Sequence, residues 1–269
     1  MHTHHEVAST HTSELTVPLL FLFSVLILLY IVAVVITNRQ YKKWPHYRVV
    51  SWCIGMLLAA ITVVGPLAER AHTDFTIHML AHLLLGMLAP LLIVLSAPIT
   101  LLLRTLSTRM ARGVTKLLRS WPSRFITDPV VATMLNVGGL WLLYTTNLFA
   151  LMHENNFVYV MVHVHIFLAG YVFTVSMIYI DPVYHRKSFI YRAVVLVIAL
   201  AGHGILAKYL FATPPTGVPI DQAEQGSMLM YYGGDFVDAI IIFILCLQWY
   251  KGARPRVAFR QENSSNVRG

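Results

Sequence analysis

The chain has 269 residues, of which 57% are hydrophobic and only 12% charged, and its formal net charge is +8. A soluble domain carries about twice that share of charged residues, so the composition excludes an ordinary soluble protein and indicates an integral membrane protein. The two cysteines, Cys53 and Cys246, are too few for a disulfide framework and match no cysteine-rich metal motif.

Apolar segments of membrane-spanning length recur along the chain. A helix needs about 20 apolar residues to cross the hydrocarbon of a bilayer, and seven segments meet that requirement: 17–36, 49–67, 76–95, 130–151, 157–180, 189–211 and 227–250. These runs are too long for the strands of a membrane barrel and do not alternate in polarity as such strands do. The sequence therefore predicts an all-α polytopic membrane protein with seven transmembrane helices in the region 17–250.

Lysine and arginine are distributed unequally between the two sides of such a bundle. Eighteen of the 20 basic residues fall in the first, third and fifth loops or near the C-terminal tail, 251–269. Because basic loops stay on the cytoplasmic side, the N-terminal tail, 1–16, is predicted to lie outside and the C-terminus in the cytosol. Topology thus explains the net charge, and no nucleic-acid partner is expected. In the third loop, the segment from about 101 to 121 predicts a helix on the cytosolic membrane face, the alternative being a plain basic loop.

Histidine and aspartate side chains recur at one predicted depth. At about 1.5 Å of rise per helical residue, five of them fall in the outer half of a hydrocarbon core about 30 Å thick: His78, His82, His163, His203 and Asp235. Ionisable groups inside a bilayer are costly and usually mark a functional site. Because His78 and His82 are four residues apart, they project from one helix face and can share a metal ion.

The residue types define a set of candidate metal ligands but leave the metal open. His165 follows His163 by two positions, so the two side chains point to different faces and at most one joins the cluster easily. A lone membrane histidine such as His203 is more commonly a hydrogen-bond partner between helices than a ligand. Imidazole with carboxylate suits zinc, copper or iron, and imidazole with thioether suits copper. The predicted ligand set is His78, His82, His163, His165, His203 and Asp235.

Other histidines on the predicted outer side are treated as secondary. His72 and His153, with Glu154, fall in outer loops, where each is expected to be an ordinary solvated group. The tail histidines at positions 2, 4, 5 and 11 are a candidate capture arm for metal, with a non-functional tail as the alternative.

Three sets of motifs follow one another in a fixed order. The sequence contains His78-Met-Leu-Ala-His82 with Ala89-Pro90 and Ser-Ala-Pro98, then His163-Val-His165 with Gly170 and Asp181-Pro182, and a last outer loop running from Asp221-Gln222 through Gly226 to Met230. In order and topology these motifs resemble the CtaG family of bacterial cytochrome c oxidase assembly factors, the type linked to caa-type oxidases. The residues that match the family's pattern are His78, His82, His163, His165, Asp221, Gln222 and Gly226.

The resemblance implies a multi-pass protein of the bacterial plasma membrane that helps to build an active haem-copper oxidase of the respiratory chain. Its implied partners are the oxidase subunits, and its implied cargo is copper, held at the outer histidines as a chaperone would hold it. An enzyme is not expected, because no nucleophile–base pair, phosphate loop or dinucleotide fingerprint is present. Two alternatives stay open: a haem-binding redox or haem-handling protein, and a proton- or metal-coupled transporter.

Overall fold

Helices make up the regular structure of the described part of the chain. The computed structural model describes residues 3–253, and side chains from residue 16 onward. In chain order the helices are α1 (Thr3–Gln40), α2 (His46–Val63), α3 (Pro66–Ala71), α4 (Phe75–Leu83), α5 (Ala89–Leu95), α6 (Pro98–Thr105), α7 (Thr108–Leu118), α8 (Trp121–Ile126), α9 (Pro129–Thr133), α10 (Gly139–Thr145), α11 (Leu148–Glu154), α12 (Asn156–Met177), α13 (Phe189–Ala212) and α14 (Ile220–Ala253). One π-helical turn, Leu84–Leu88, joins α4 to α5, and another, Met134–Gly138, joins α9 to α10.

Six helical segments in residues 3–253 are long and apolar enough to cross a membrane: Thr16–Gln40, His46–Val63, Phe75–Leu95, Asn156–Met177, Phe189–Ala212 and Ile220–Ala253. The predicted fourth span, 130–151, is instead two pieces, Pro129–Thr145 and Leu148–Glu154, bent by 78°. Thr146, at the bend, has extended backbone, and threonine and asparagine compete with helical hydrogen bonding through their own side chains. The all-helical membrane class is confirmed, with six spans, or seven if the bent pair is one.

Two other helix boundaries differ from those predicted from the sequence. Helix α14 begins at Ile220, so the stretch 221–226, expected in an outer loop, forms the first turns of this helix. The interfacial helix expected over about 101–121 is divided among α6, α7 and α8. Ser107 and Ser120 stand immediately before α7 and α8 with ψ near 150–160°, as helix-starting serines do.

The segment Phe75–Leu95 forms the centre of the bundle. Its most apolar stretch is 67% buried, against 11% to 33% for the other five spans. Helix α14 packs along α4, α2 packs along α5, and α12 crosses the π turn between them. Phe75 and Met79 of α4 meet Leu206 and Met230 of the last two helices in one apolar cluster.

The bundle has two chemically different ends. The α3–α4 connection with His72 and helix α11 with His153 meet at one end, where the two rings are 6.1 Å apart; we call this the histidine end. The α1–α2, α6–α8 and α12–α13 connections lie at the other end, which we call the basic end. There the guanidinium of Arg104 lies 5.2 Å from the Trp44 ring, and Asp181 contacts Thr100.

Helix α12 crosses the first π turn through a contact between backbones. A Cβ atom on Gly170 would overlap the carbonyl oxygen of Gly86. Pro90 has no N–H, so this carbonyl lacks the donor that a helix normally supplies four residues later. The Ala89-Pro90 and Gly170 motifs are therefore parts of one helix crossing, and this crossing lies one turn from His82.

A second joint holds the basic end together. Asp181 is only 5% exposed, and its carboxylate accepts hydrogen bonds from the backbone N–H of Thr100 at 2.7 Å and of Ile99 at 3.2 Å. The Thr100 hydroxyl donates a further bond of 2.6 Å. Burial raises the pKa of Asp181, and the hydrogen bonds from Thr100 and Ile99 act in the opposite direction. Asp181 thus supplies hydrogen-bond acceptors for the backbone N–H groups in the first turn of α6. This helix follows Ala97, whose backbone is left-handed (φ 53°).

Candidate metal site

Helices α4 and α13 bring two histidines together inside the bundle. The ring centroids of His82 and His203 are 6.5 Å apart, and the ring planes differ by 27°. The two side chains are 5% and 6% exposed. Helix α14 closes the site through Gly234, since a Cβ atom there would lie 2.5 Å from Cε1 of His203. We call His82 and His203 the buried pair.

Three ring nitrogens of the buried pair, both of His82 and Nε2 of His203, have no hydrogen-bond partner within residues 3–253. Leaving one such buried group unpaired costs about 1–3 kcal/mol, and nearly all buried polar groups in folded proteins have partners. Two metal–nitrogen bonds of about 2 Å each, added to the ring radii, place imidazole centroids roughly 6 Å apart. The separation of the buried pair matches that span.

A second group of histidines lies nearer the histidine end. His78 is buried, its Nε2 is 3.0 Å from the Tyr144 hydroxyl, and its ring centroid is 6.3 Å from that of His153. His72 and His163 both lie against Tyr159, with ring centroids 4.6 Å and 4.0 Å from it. Burial lowers the pKa of His72, and the neighbouring His153 lowers it further.

Backbone carbonyls orient two rings of this second group. Nδ1 of His153 lies 2.9 Å from the carbonyl oxygen of Phe149, and Nδ1 of His163 lies 2.8 Å from that of Tyr159. Because a carbonyl only accepts, each Nδ1 carries the proton and each Nε2 presents a lone pair. Metal-binding histidines are commonly held in this way by a carbonyl behind the ring.

Four of the six predicted ligands thus lie inside the bundle at the histidine end. His82 and His203 form the buried pair, whereas His78 and His163 belong to the second group; His78 is within electrostatic range of both His82 and His163. In the part of the chain that the structure describes, no three or more His, Cys, Asp or Glu side chains are placed to hold one ion together.

The sequence matches the family of cytochrome c oxidase caa3 assembly factors over residues 28–252. The chain belongs to this family. It is also 26% identical to an uncharacterized protein of Mycobacterium leprae over 258 residues, which are 88% of this chain and 39% of the relative. An uncharacterized protein of Mycobacterium bovis is 27% identical over 250 residues, 85% of this chain and 38% of the relative. The chain thus spans about two fifths of the length of these relatives, and no solved structure matches it.

The other two predicted ligands of this caa3 assembly-factor chain face outward. His165 is exposed, and its Nε2 donates to the carbonyl oxygen of Leu135 at 3.0 Å, beside the second π turn. Asp235 is also exposed, although it lies within electrostatic range of His203. Both residues have the predicted helical position, but their side chains lie on the wrong side of the helix to join the buried pair. The side chains at positions 2, 4, 5 and 11 lie outside the described residues.

Two motifs of the family pattern hold the scaffold together. Gln222 accepts a hydrogen bond from the backbone N–H of Phe75 at 3.0 Å, and so ties the start of α14 to the start of α4. Gly226 lies one turn further on, where a Cβ atom would be 2.9 Å from the Phe75 ring. These residues set the distance between α4 and α14, the helices that carry His82 and Gly234.

Sequence reasoning did not include His72 and His153 in the site. Both line a pocket of about 320 Å³ at the histidine end, together with His78 and Glu154. His153 reaches this place because the bend at Thr146 turns α11 back over the bundle. The Thr145-Thr146-Asn147 run is the sequence signal for that bend, but the residue pattern does not give its direction.

Proposed function

We propose that this chain assists the assembly of a haem-copper cytochrome c oxidase by holding copper between His82 and His203 and passing it to an oxidase subunit. The observation that carries the proposal is the set of three unpartnered ring nitrogens in the buried pair. Two ligands at this separation suit cuprous copper, which accepts two opposed nitrogen donors, whereas Cu²⁺ prefers a tetragonal set of four or more. Family membership supports the role in oxidase assembly, because the family is that of caa3 oxidase assembly factors.

The proposal includes an orientation in a bacterial plasma membrane. Most of the basic residues lie in the connections of the basic end and in the last turn of α14, and such residues favour the cytoplasmic side. The histidine end then faces outward. Copper reaches the buried pair from the extracytoplasmic side, and the oxidase subunit docks beside the helices in the same membrane.

A delivery site must also release its ion. The buried pair supplies two ligands, so an acceptor with more ligands can add one copper–nitrogen or copper–sulfur bond before a bond to His82 or His203 breaks. No electron transfer is needed, and both imidazoles remain neutral.

The packing around the buried pair favours an ion over a haem group. A Cβ atom on Gly226 would lie 2.9 Å from Phe75, and one on Gly233 would lie 2.5 Å from Leu83. Helices α4 and α14 are therefore in direct contact on both sides of His82. A porphyrin between these helices requires them to move apart, whereas a copper ion does not.

The test is the copper content of the detergent-purified full chain after loading with Cu(I) and removal of excess metal. We expect the double variant His82→Leu/His203→Leu to lose the tightly held copper, because both nitrogen donors are gone. The matched control, His46→Leu/His185→Leu, removes two histidines of the basic end and should retain the tightly held copper. In cells that lack their own copy of the gene, the first variant fails to restore oxidase activity and the control restores it. Unchanged tightly held copper in the first variant, or a Soret band in the purified wild type, contradicts the proposal.

A further inference from the structure

We propose that His72 and His153 form a loading station for cuprous copper at the mouth of the histidine end, and that His78 passes the ion from there to the buried pair. This inference rests on the proposed function, since it describes how the same cargo enters. It assigns a role to two histidines that the sequence placed among ordinary solvated groups.

The pocket at the histidine end provides the entrance. Its volume is about 320 Å³, and its lining includes His72, His153, His78 and Glu154. His153 and Glu154 are exposed, His72 is half-buried and His78 is buried. The imidazoles therefore extend from the surface to the interior along one path, and the exposed carboxylate of Glu154 at the rim attracts a cation.

The two outer separations on this path are close to that of the buried pair. Ring centroids are 6.1 Å apart for His72 and His153, and 6.3 Å apart for His153 and His78. The buried pair is separated by 6.5 Å. Each distance fits one metal ion held between two imidazoles, because two metal–nitrogen bonds of about 2 Å plus the ring radii give roughly this span.

His153 is already in the tautomer that binding requires. Its Nδ1 donates to the carbonyl oxygen of Phe149 at 2.9 Å, so its Nε2 has a free lone pair. His153 also lies next to both of its neighbours on the path, His72 and His78. It can therefore keep one bond to copper while the second bond changes from one neighbour to the other.

His78 can accept the ion because its present partner has an alternative. The Tyr144 hydroxyl lies 3.0 Å from Nε2 of His78 and 3.7 Å from the sulfur of Met79. When His78 binds copper, the hydroxyl can donate to Met79 instead. His78 and His82 are four residues apart on α4, about 6 Å along the helix axis, so the next exchange delivers copper to the buried pair.

Each transfer is a ligand exchange. A bond from copper to the incoming imidazole forms through its nitrogen lone pair, and the bond to the outgoing imidazole then breaks. The copper stays cuprous and no proton has to leave the protein. The ion has two imidazole ligands before and after each step, so no step requires it to lose both of them.

The experiment follows Cu(I) supplied from a coloured Cu(I)–bicinchoninate complex to the purified full chain, without oxygen. Four proteins are compared: the wild type, the outer variant His72→Ala/His153→Ala, the inner variant His82→Leu/His203→Leu and the control His46→Ala/His185→Ala. We expect the wild type and the control to load alike. The outer variant should hold the copper of the buried pair at equilibrium but load it about tenfold more slowly, the scale on which supporting metal ligands act. The inner variant should still take up the weaker, outer copper.

The outcomes separate this inference from the proposed function. If the outer variant loads at the wild-type rate with the wild-type stoichiometry, the loading station is wrong and the buried pair stands. If the wild type takes up no copper, or the inner variant keeps all of it, the proposed function fails. A measurement on the wild type alone avoids any folding defect: Cu(I) should protect His72 and His153 from modification by diethylpyrocarbonate and leave His46 reactive. Equal labelling of His72 and His153 with and without Cu(I) overturns the loading station.

Discussion

The two halves of the bundle differ in the hydrogen bonding of Asp181 and of the buried pair. At the basic end, Asp181 accepts three hydrogen bonds from Thr100 and Ile99. Arg192 donates from Nη1 to the carbonyl oxygen of Met177 at 2.6 Å and lies 4.1 Å from the Tyr179 ring, while its Nε has no hydrogen-bond partner among the described residues. Towards the histidine end, His82 and His203 are as deeply buried, but three of their four ring nitrogens have no partner in the described part of the chain.

This difference distinguishes structural polar groups from functional ones. A satisfied carboxylate such as Asp181 joins two connections and needs no ligand. Other unpartnered buried atoms are single groups at separate places, for example Thr37 Oγ1 and Trp52 Nε1. Only the buried pair, among the described residues, places several unpartnered imidazole nitrogens next to one another. A protein that keeps such an arrangement despite its cost has a use for it.

The largest loss of stability is expected from disrupting the contact between Gly170 and Gly86, where α12 crosses the central span between the two halves. In Gly170→Ala, the added methyl group would overlap the carbonyl oxygen of Gly86, and neither backbone can yield without displacing α12 from the central span. We expect a loss of stability of about 3 kcal/mol or more, at the upper end for overpacked sites. Size-exclusion chromatography and thermal unfolding in detergent should show little folded protein.

The matched control for this substitution is Gly138→Ala. Gly138 is also a helical glycine, the last residue of the second π turn, but an added Cβ atom there meets nothing within 4 Å. This variant should fold like the wild type. If both variants fold equally well, the backbone contact between Gly86 and Gly170 does not determine the position of α12.

A smaller loss of stability is expected at the basic end, where the carboxylate of Asp181 is hydrogen-bonded. In Asp181→Asn, the amide N–H₂ replaces one acceptor and faces donors of Thr100 or Ile99, so a backbone N–H at the start of α6 is left unpaired. The expected loss is about 2 kcal/mol, with copper binding unchanged. Glu224→Gln makes the same chemical change at an exposed carboxylate of α14 and should unfold at the wild-type temperature. Equal stability of the two variants contradicts the structural role of Asp181.

The sequence predicts the depth of the site better than its geometry. Hydrophobic length locates the spans, and axial rise places His78, His82, His163 and His203 in the same half of the bundle, because both quantities accumulate along the chain. Rotation about a helix axis depends instead on packing between distant segments. The spacing of His163 and His165 showed that at most one of them joins the cluster easily, but not which one.

Packing between distant segments also determined the remaining differences. The direction of the bend at Thr146 brings His153 to the site, and it depends on how α11 packs against α12. The joint between Asp181 and the start of α6 connects residues more than 80 positions apart. The residue pattern within one segment shows neither the direction of the bend nor the partner of Asp181. The sequence motifs at both places were nevertheless recognisable.

The smallest expected change is a gain in stability rather than a loss. It tests most directly the contrast between Asp181 and the buried pair. In His82→Leu/His203→Leu, apolar side chains replace buried imidazoles whose nitrogens have no partner. Because the desolvation cost disappears and the volume stays similar, the copper-free variant should be more stable than the wild type by about 1–2 kcal/mol. Thermal unfolding in detergent with a Cu(I) chelator measures this difference.

Copper should reverse the order of the two proteins. Binding to the folded state raises stability in proportion to the logarithm of the ratio of free ion to dissociation constant, about 2.7 kcal/mol at a hundredfold excess. With Cu(I) present, the wild type gains this stabilisation at the buried pair, and the leucine variant lacks it there. A leucine variant that is less stable than the wild type even under chelator means that the two histidines have structural partners. The contrast with Asp181 would then disappear, and with it the physical reason for placing copper between them.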